Sequence, residues 1–350
     1  MKEFNNEGLI SATSASLDKQ SLSSQEAIIE VRNLVKKFKN VTAVNDISFD
    51  VYKNEIFGFL GPNGAGKTTT INIICTLLPL TSGSVKLNNY DVLKDKYKIR
   101  NSIGLVFQDP TLDDRLTAME NLSFHALLYD VPYKEIKIRI DEVLEMVDLS
   151  KRKKDLVRNF SGGMKRRLEI ARGLIHYPKV LFLDEPTIGL DPQTRNRIWE
   201  YIVRLKKEKD ITIFLTTHYM EESEICDRIA IIDEGKIVAL NSPDALKNTA
   251  GTDIISIISE DNNKLVQYLK DKFSITSETQ KDSEIRFEVK DSAKFIPSFI
   301  RHCPVKILSI SARKSTLNDV FLNLTGKEIR EENASAKDLM RMRVRARMGR

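Results

Sequence analysis

The chain has no apolar run long enough to cross a bilayer, which takes about 18–20 consecutive residues. Its longest apolar runs, at 180–183 and 211–215, have the length of buried strands. Residues 1–27 are polar and lack the apolar core of a signal peptide. The three cysteines are odd in number and far apart, which fits reduced thiols better than a disulfide framework. These absences predict a cytoplasmic protein.

A large excess of one charge is also missing, since the formal net charge is only +6. Much of this charge lies in a C-terminal tail, 329–350, whose end is rich in arginine and contains no acid. Such a tail can contact anionic lipid or nucleic acid, or it can be a solvated end. Lipid contact and a solvated end both stay open, and nucleic acid is the less favoured partner.

Strand and helix signals alternate over residues 28–247, which predicts an α/β domain with a largely parallel sheet. A polar leader, 1–27, precedes this domain. The segment 109–173 has helical spacing and many charges, which predicts an inserted helical lobe. The strands of the sheet are predicted at 28–31, 55–60, 180–184, 211–216 and 229–233.

The pattern changes after residue 247. Strand and helix signals then follow the order β-α-β-β-α-β of a ferredoxin-like fold, and a closing helix is predicted at 316–324. The sequence therefore predicts a small α+β accessory domain over 248–328, followed by the basic tail. No catalytic cluster of side chains occurs in the sequence of this domain.

A glycine-rich segment after the predicted strand at 55–60 matches the phosphate-loop pattern G-x-x-x-x-G-K-[ST]. Glycines let the backbone curl so that N–H groups point at phosphates, and the next helix directs its N-terminal dipole at the same charge. Lys67 is expected to reach the β- and γ-phosphates, and the Thr68 hydroxyl to ligate Mg²⁺. The candidate nucleotide-binding residues are Gly61, Pro62, Asn63, Gly64, Ala65, Gly66, Lys67, Thr68 and Thr69.

The apolar strand at 180–184 ends in two acids, Asp184 and Glu185. A carboxylate at the C-terminal end of a buried parallel strand can hold Mg²⁺, and Asp184 is expected to do so through water. Glu185 would point toward the γ-phosphate, where a carboxylate can activate water. Alone, such acids could be an edge charge or a helix cap, but the phosphate loop favours the functional interpretation.

A Ser-Gly-Gly turn at 161–163 precedes a basic helix and lies just ahead of the Asp-Glu strand. The turn offers a hydroxyl, free N–H groups and a helix dipole to an anion. With these motifs in this order, the chain resembles the ATP-binding subunit of an ABC transporter over residues 28–242. The resemblance implies ATP and Mg²⁺ as cofactors, and it implies that Ser161, Gly162 and Gly163 cap the ATP bound by a second copy in a homodimer.

The resemblance also implies roles for four further residues. Gln108 corresponds to the residue that senses Mg²⁺ and the attacking water, and His218 to the one that contacts the γ-phosphate and holds Glu185. Asp191 matches an aspartate at the dimer seam. Phe38 stands where the family usually has a tyrosine that stacks on adenine, and it keeps the π-face. The turn itself departs from the family pattern, with Phe160 for leucine and Met164 for glutamine.

Residues 217–222 and 315–321 resemble the daunorubicin-resistance branch, whose subunits serve two-component exporters of drugs, lipids or polysaccharide. In that branch the permease is a separate polypeptide, so the resemblance implies a subunit on the cytoplasmic face of the membrane. Two alternatives stay open: a soluble ATPase that acts on ribosomes or nucleic acid, and a regulatory partner that does not hydrolyse ATP. The first usually has tandem cassettes or a coiled-coil insertion, and the second would lack Lys67, Glu185 or His218.

Overall fold

The computed structural model describes residues 26–250, 253–275, 278–279 and 284–326. The basic tail and nearly all of the predicted leader lie outside these residues. Contacts divide the chain into two compact units, one ending at Pro243 and the next beginning at Asp244. The expected domain boundary was at 247/248, which falls inside a helix, Pro243–Ala250.

The first unit contains two sheets and a group of helices. Its strands are β1 Ala27–Phe38, β2 Val41–Tyr52, β3 Ile56–Leu60, β4 Ser82–Leu87, β5 Tyr90–Asp91, β6 Ile103–Val106, β7 Val180–Asp184, β8 Thr212–Thr217, β9 Arg228–Asp233 and β10 Lys236–Asn241. Its helices are α1 Lys67–Ile74, α2 Lys96–Ser102, α3 Ala118–Leu128, α4 Tyr133–Met146, α5 Gly162–Leu174, α6 Pro192–Lys209 and α7 Met220–Ser223. The boundary helix, α8 Pro243–Ala250, belongs to the second unit from Asp244 onward.

The central sheet has the strand order β10-β9-β3-β8-β7-β6. All neighbours are parallel except β10 and β9, which form an antiparallel pair. Strands β3, β7 and β8 are buried along their whole length, as expected for a parallel sheet covered on both faces. The predicted α/β class with a mainly parallel core is therefore confirmed.

A second, antiparallel sheet of order β2-β1-β4-β5 was not predicted. Strands β1 and β2 form a hairpin, whose turn contains Lys39 with φ of +43°. Phe49 of β2 packs on the central sheet, with ring centroids 5.5 Å from Phe57, 5.6 Å from Phe59 and 6.3 Å from Phe214. This aromatic cluster joins the two sheets in one core.

The segment predicted as a helical lobe contains α3, α4, two short 3₁₀ turns and most of α5. Helix α3 begins at a capping box, in which Thr117 and Glu120 exchange side chain to backbone hydrogen bonds. An isolated β-bridge between Thr117 and Leu156 ties this start to the segment before α5. Within the described ranges, no helix is both long and apolar enough to span a membrane.

The second unit has an antiparallel sheet of order β12-β13-β11-β14, with helices between the strands in the predicted β-α-β-β-α-β sequence. Asp319, at the start of its last helix, accepts hydrogen bonds from Arg286 and Arg313. Burial favours the neutral acid, but Arg313 and Thr316 hold the pKa of Asp319 well below its usual range. The elements are β11 Asp253–Ser259, α9 Asn262–Phe273, β12 Glu278–Thr279, β13 Ile285–Val289, α10 Ser292–His302, β14 Ile307–Lys314 and α11 Leu317–Thr325.

Candidate functional site

The candidate site lies at the carboxyl edge of the parallel sheet. Strands β3, β6, β7 and β8 run in one direction, so the loops that follow them meet at the same edge. The phosphate loop follows β3, Gln108 follows β6, Asp184 ends β7 and His218 follows β8. The strand order thus brings together motifs that are far apart in the sequence.

The phosphate loop turns sharply into α1 at Gly66. Its φ is +107°, in the left-handed region that favours glycine, and a Cβ there would lie 2.5 Å from the carbonyl oxygen of Ala43. Lys67 is 5% exposed, and its Nζ donates to the carbonyl oxygens of Gly61 and Pro62 at 2.7 and 3.1 Å. The loop thus surrounds a buried ammonium group at a helix N-terminus, an arrangement suited to phosphate.

The carboxylate of Glu185 lies between Lys67 and His218. Its Oε1 is 3.3 Å from Nζ of Lys67, and its Oε2 is 3.3 Å from Nδ1 of His218. Burial raises the pKa of Glu185, but the contact with His218 and the charge of Lys67 outweigh burial and hold this pKa below its ordinary value. Glu185 is therefore an ionised carboxylate with little exposure to solvent, as a base for water requires.

Asp184 lies beside this group and is 4% exposed. Its Oδ1 accepts hydrogen bonds from the hydroxyls of Thr216 at 2.5 Å and Thr68 at 3.3 Å. Burial raises the pKa of Asp184, and these two bonds oppose the rise. Mg²⁺ typically takes one or two carboxylates and completes its ligands with phosphate and water, so a carboxylate and a hydroxyl next to the phosphate loop fit it. Among the residues described, no group of three or more His, Cys, Asp or Glu could hold a metal alone.

The backbone of Glu185 has an unusual conformation, with φ of +46°. Residues with a side chain adopt this region rarely, at a cost of about 1–3 kcal/mol, and only where the surroundings hold them there. The N–H of Glu185 donates to both Oγ1 and the carbonyl oxygen of Thr216, at 3.1 and 3.2 Å. Thr216 therefore fixes both acids, although in the sequence it looks like an ordinary β-branched strand residue.

Ser161 and Asp191 are both helix N-caps. The Ser161 hydroxyl accepts from the N–H of Met164 at 3.3 Å, and Oδ1 of Asp191 accepts from the N–H of Thr194 at 3.0 Å. The helices that they begin, α5 and α6, approach so closely that a Cβ on Gly163 would lie 2.3 Å from Cγ2 of Thr194. A cavity of about 180 Å³ opens between these helix starts and reaches Ser161.

Two candidate residues are apart from the group around Glu185. Phe38, at the end of β1, is 44% exposed, and Nζ of Lys36 lies 4.8 Å from its ring centroid. Gln108 is exposed in the loop after β6. Among the contacts of the described residues, neither side chain touches Lys67 or Glu185. Their nucleotide-binding roles therefore stay predictions.

The sequence analysis missed Arg166, which is 7% exposed. Its guanidinium donates to three successive carbonyl oxygens at 184–186. In the sequence it belongs to a run of basic residues that looks like a solvated helix face. Helical periodicity could have revealed its burial, because Arg166 precedes the buried Ile170 by four residues and therefore lies on the same helix face.

Glu222 was also missed as a site residue, although its segment was noted. It is 3% exposed, and its carboxylate accepts hydrogen bonds from the hydroxyls of Thr187 and Thr217. These threonines follow Glu185 and precede His218, so Glu222 ties together the two loops that carry those residues. Burial raises the pKa of Glu222, and the two hydroxyls oppose that rise.

A second cavity, of about 280 Å³, lies between α5, the segment after α3 and the end of β6. Arg172, 5% exposed, lines it, and so do His125 and His176. Burial lowers the pKa of both histidines to about 4, so they are neutral at pH 7. The lining residues are Cys75, Leu77, Arg100, Ile103, Leu105, Phe107, His125, Tyr129, Arg172, Gly173 and His176, and these described residues include two arginines and no carboxylate.

Comparison with known proteins gives the family. A family model described as ABC transporter matches residues 44–188. The linearmycin resistance ATP-binding protein LnrL of Bacillus subtilis is 38% identical over 312 residues, which are 87% of this chain and 100% of that protein. The chain belongs to the family of ABC transporter ATP-binding subunits.

Further similar proteins support the assignment to this family. The daunorubicin resistance protein DrrA3 of Streptomyces coeruleorubidus is 34% identical, with 89% of this chain and 99% of that protein covered. A solved dimer of an ATP-binding cassette, in a post-hydrolysis state bound to ADP and Pi, has a TM-score of 0.56 and 28% identity, over 61% of this chain and 98% of that one. The predicted daunorubicin-resistance branch and ATPase class are confirmed.

Proposed function

We propose that this ABC subunit hydrolyses ATP with Glu185 as the base that activates water. The proposal rests on the ionised Glu185 carboxylate, held 3.3 Å from both Lys67 and His218. Lys67 would contact the β- and γ-phosphates, and His218 would keep the carboxylate in place. The loop residues 61–69 would surround the phosphates, and Phe38 would stack on adenine.

Thr68, Asp184 and Gln108 are the proposed holders of Mg²⁺. Bound there, Mg²⁺ would neutralise negative charge on the phosphates. Thr216 supports this arrangement from the protein side, because its hydroxyl orients the Asp184 carboxylate.

The second part of the proposal is a homodimer with two shared sites. Ser161, Gly162 and Gly163 lie at the start of α5, where Ser161 and Gly162 are exposed and Gly163 is half-buried. Their hydroxyl and N–H groups would face an anion bound there. The chain's own phosphate loop would surround the phosphates of its own ATP, so the ligand of this turn would be the ATP of a second copy. Asp191 would lie near the same seam. The solved dimer of a similar cassette supports this assembly.

Mixing two inactive variants tests the shared site. Lys67→Ala removes the phosphate contact of one half-site, and Ser161→Glu places a negative charge where the other half-site would meet phosphate. Each alone is expected to be nearly inactive. In an equimolar mixture, about half of the dimers contain both chains, and each of these has one intact site of two, so we expect about a quarter of the wild-type rate.

The control is a mixture of Lys67→Ala with Glu185→Gln. Both changes affect the half-site that holds the phosphate loop, so no mixed dimer has an intact site and no activity should return. Steady-state phosphate release measures all mixtures. A Lys67→Ala and Ser161→Glu mixture that stays at the sum of its components would contradict the shared site.

A separate membrane permease is the proposed partner, and the 280 Å³ cavity beside α3 is its proposed docking place. Phe107, the residue just before Gln108, lines this cavity, which would connect docking to the ATP site. Leu77, which lines the cavity, is 49% exposed. On α3, Phe124 and Leu128, which are next in sequence to the lining residues His125 and Tyr129, are 56% and 60% exposed. Two arginines and neutral histidines favour a partner segment that carries an acid among apolar residues.

Leu77→Asp tests this surface. A carboxylate at the cavity mouth would remove apolar contact and repel an acidic partner, so co-purification with the permease should fall at least about tenfold. Leu93→Asp is the control, because Leu93 is also exposed, at 50%, but does not line the cavity. Equal recovery of the permease with both variants would contradict the docking place.

We further propose that the transporter is an exporter and that this subunit lies on the cytoplasmic face of the membrane. The relatives are named for resistance to linearmycin and to daunorubicin, which removal of the compound from the cell would provide.

We also propose that the basic tail contacts anionic lipid of the membrane. Binding to ribosomes or nucleic acid is the disfavoured alternative, and co-purification with a membrane protein rather than with ribosomes separates the two.

A further inference from the structure

Arg166 uses its whole hydrogen-bonding capacity inside the protein. An arginine side chain has five N–H donors. Nε donates to the carbonyl oxygen of Pro186 at 2.6 Å, and Nη2 donates to those of Asp184 and Glu185 at 3.1 and 3.0 Å. Nη1 donates to the carbonyl oxygen of Phe107 at 2.5 Å and to Oε2 of Glu169 at 3.0 Å. A single buried guanidinium therefore holds the turn that carries Glu185 and the residue before Gln108.

Glu169 completes this arrangement and is fully buried. While Oε2 accepts from Arg166, Oε1 accepts from the backbone N–H of Thr111 at 2.8 Å. The pair thus binds backbone on both sides of the segment 108–110, at Phe107 and at Thr111. Burial lowers the pKa of Arg166 and Glu169 opposes that shift, which leaves a compensated ion pair in the interior.

The backbone of Glu185 is consequently fixed from two sides. Thr216 accepts from its N–H, and Arg166 donates to its carbonyl oxygen. The left-handed conformation of Glu185 is one that the surroundings must impose, and these contacts impose it. Arg166 also lies on α5, only five residues after Ser161, or about 7.5 Å along a helix. The helix that begins at Ser161 is therefore bonded directly to the hydrolytic turn of its own chain.

We propose that Arg166 and Glu169 are positioning residues for hydrolysis: they fix the turn of Glu185 and the Gln108 segment, and join both to the helix of Ser161. The proposal rests on the function proposed above. If Ser161 contacts the ATP of the second copy, the same rigid helix carries that contact to the Glu185 of the other site. Arg166 touches no substrate atom, and its effect passes through the backbone.

Arg166→Gln is the central test. It leaves all four carbonyl oxygens, at 107 and 184–186, without their charged donor, and the Glu185 carboxylate should lose its alignment. Since small misplacements cost up to about 10²-fold in rate, we expect kcat to fall about 10- to 100-fold with the KM for ATP within about twofold. Arg166→Lys keeps the charge with three donors and should recover part of the loss. Glu169→Gln should show a smaller fall, of about three- to tenfold.

Arg228→Gln is the matched control. Arg228 forms another little-exposed pair, with Glu55 at 3.3 Å, and donates to the carbonyl oxygen of Asp50 at 3.1 Å. This pair lies at the opposite, amino edge of the sheet, where β3 and β9 begin. The variant should lose stability to heat, as Arg166→Gln should, but keep kcat within about twofold. A kcat of Arg166→Gln no lower than that of Arg228→Gln would overturn the proposal, as would a loss confined to KM.

The ATP-bound dimer supplies an independent readout. Closure of the dimer around ATP does not need the turn that carries Glu185. Arg166→Gln should therefore accumulate as an ATP-bound dimer on size-exclusion chromatography, whereas the wild-type protein hydrolyses its ATP and does not. If Glu185→Gln itself forms no such dimer, the proposed shared site fails. If Glu185→Gln forms it and Arg166→Gln hydrolyses at the wild-type rate, only the positioning role fails. If Arg166→Gln does not fold, the kcat values of Arg166→Lys and Glu169→Gln, each compared with the kcat of Arg228→Gln, test the positioning role instead.

Discussion

Glu185→Gln is expected to lower kcat by about 10²–10⁴-fold, the usual effect of removing a positioned base. The amide keeps the size of the side chain but cannot take a proton from water. The carboxylate that it replaces is ionised because contact with His218 and the charge of Lys67 hold its pKa down. ATP binding should persist, since the phosphate loop is unchanged. The variant should therefore remain an ATP-bound dimer with very slow turnover.

Single-turnover hydrolysis and size-exclusion chromatography with ATP measure these two effects. Glu200→Gln, an exposed glutamate on α6, is the control for loss of a carboxylate, and it should keep the wild-type rate. A Glu185→Gln enzyme that hydrolyses ATP at the wild-type rate would remove Glu185 from the chemistry. Slow hydrolysis without a dimer would keep the base but contradict the shared site.

Lys67→Ala is expected to impair both ATP binding and hydrolysis. Lys67 is 5% exposed and supplies a buried positive charge at the point where the phosphate loop becomes a helix. A charge-assisted hydrogen bond contributes about 1.5–3 kcal/mol, so ATP affinity should weaken about 10- to 100-fold. Loss of the same contact in the transition state should lower kcat about 10²–10³-fold. The variant also leaves Glu185 without its buried counter-charge.

Titration with a fluorescent ATP analogue measures the loss of ATP affinity, and steady-state kinetics measure the loss of kcat. Lys206→Ala is the control, because Lys206 forms a partly exposed pair with Asp227 at 2.6 Å and should be neutral in both assays. Normal ATP affinity in Lys67→Ala would show that the ammonium does not contact phosphate. The contrast with Glu185→Gln is diagnostic, since only Lys67→Ala should fail to form the ATP-bound dimer.

The parts of the site that lie within short contiguous motifs could be predicted from the sequence. The phosphate loop requires neighbours in the chain, and Asp184 and Glu185 are adjacent, so their spacing is visible. The parallel sheet could be predicted from apolar runs between helical segments. The order of the C-terminal elements could be predicted because the pattern of strand and helix signals changes after residue 247. The antiparallel sheet was missed because β1 and β2 were reduced to one short strand signal at 28–31, although they run as a hairpin over Ala27–Phe38 and Val41–Tyr52.

Residues that act through strand pairing or helix packing could not be predicted. Thr216 reaches Asp184 because β7 and β8 pair with these two residues opposite each other, and the sequence does not state that register. Arg166 reaches the turn at 184–186 only because α5 packs against β6, the strand that pairs with β7. The sequence shows Arg166 only as one residue of a basic helix, whereas its five contacts show why an arginine can lie inside.

The left-handed backbone at Glu185 has a consequence for directed evolution. Glycine adopts that conformation without strain, but Glu185→Gly would also remove the counter-charge of the buried Lys67 ammonium, 3.3 Å away. Relief of about 1–3 kcal/mol of backbone strain would be outweighed by the cost of about 3–5 kcal/mol for breaking a buried ion pair. A screen that selects only for heat resistance should therefore not favour glycine at position 185, because the carboxylate that activates water also neutralises the lysine of the phosphate loop.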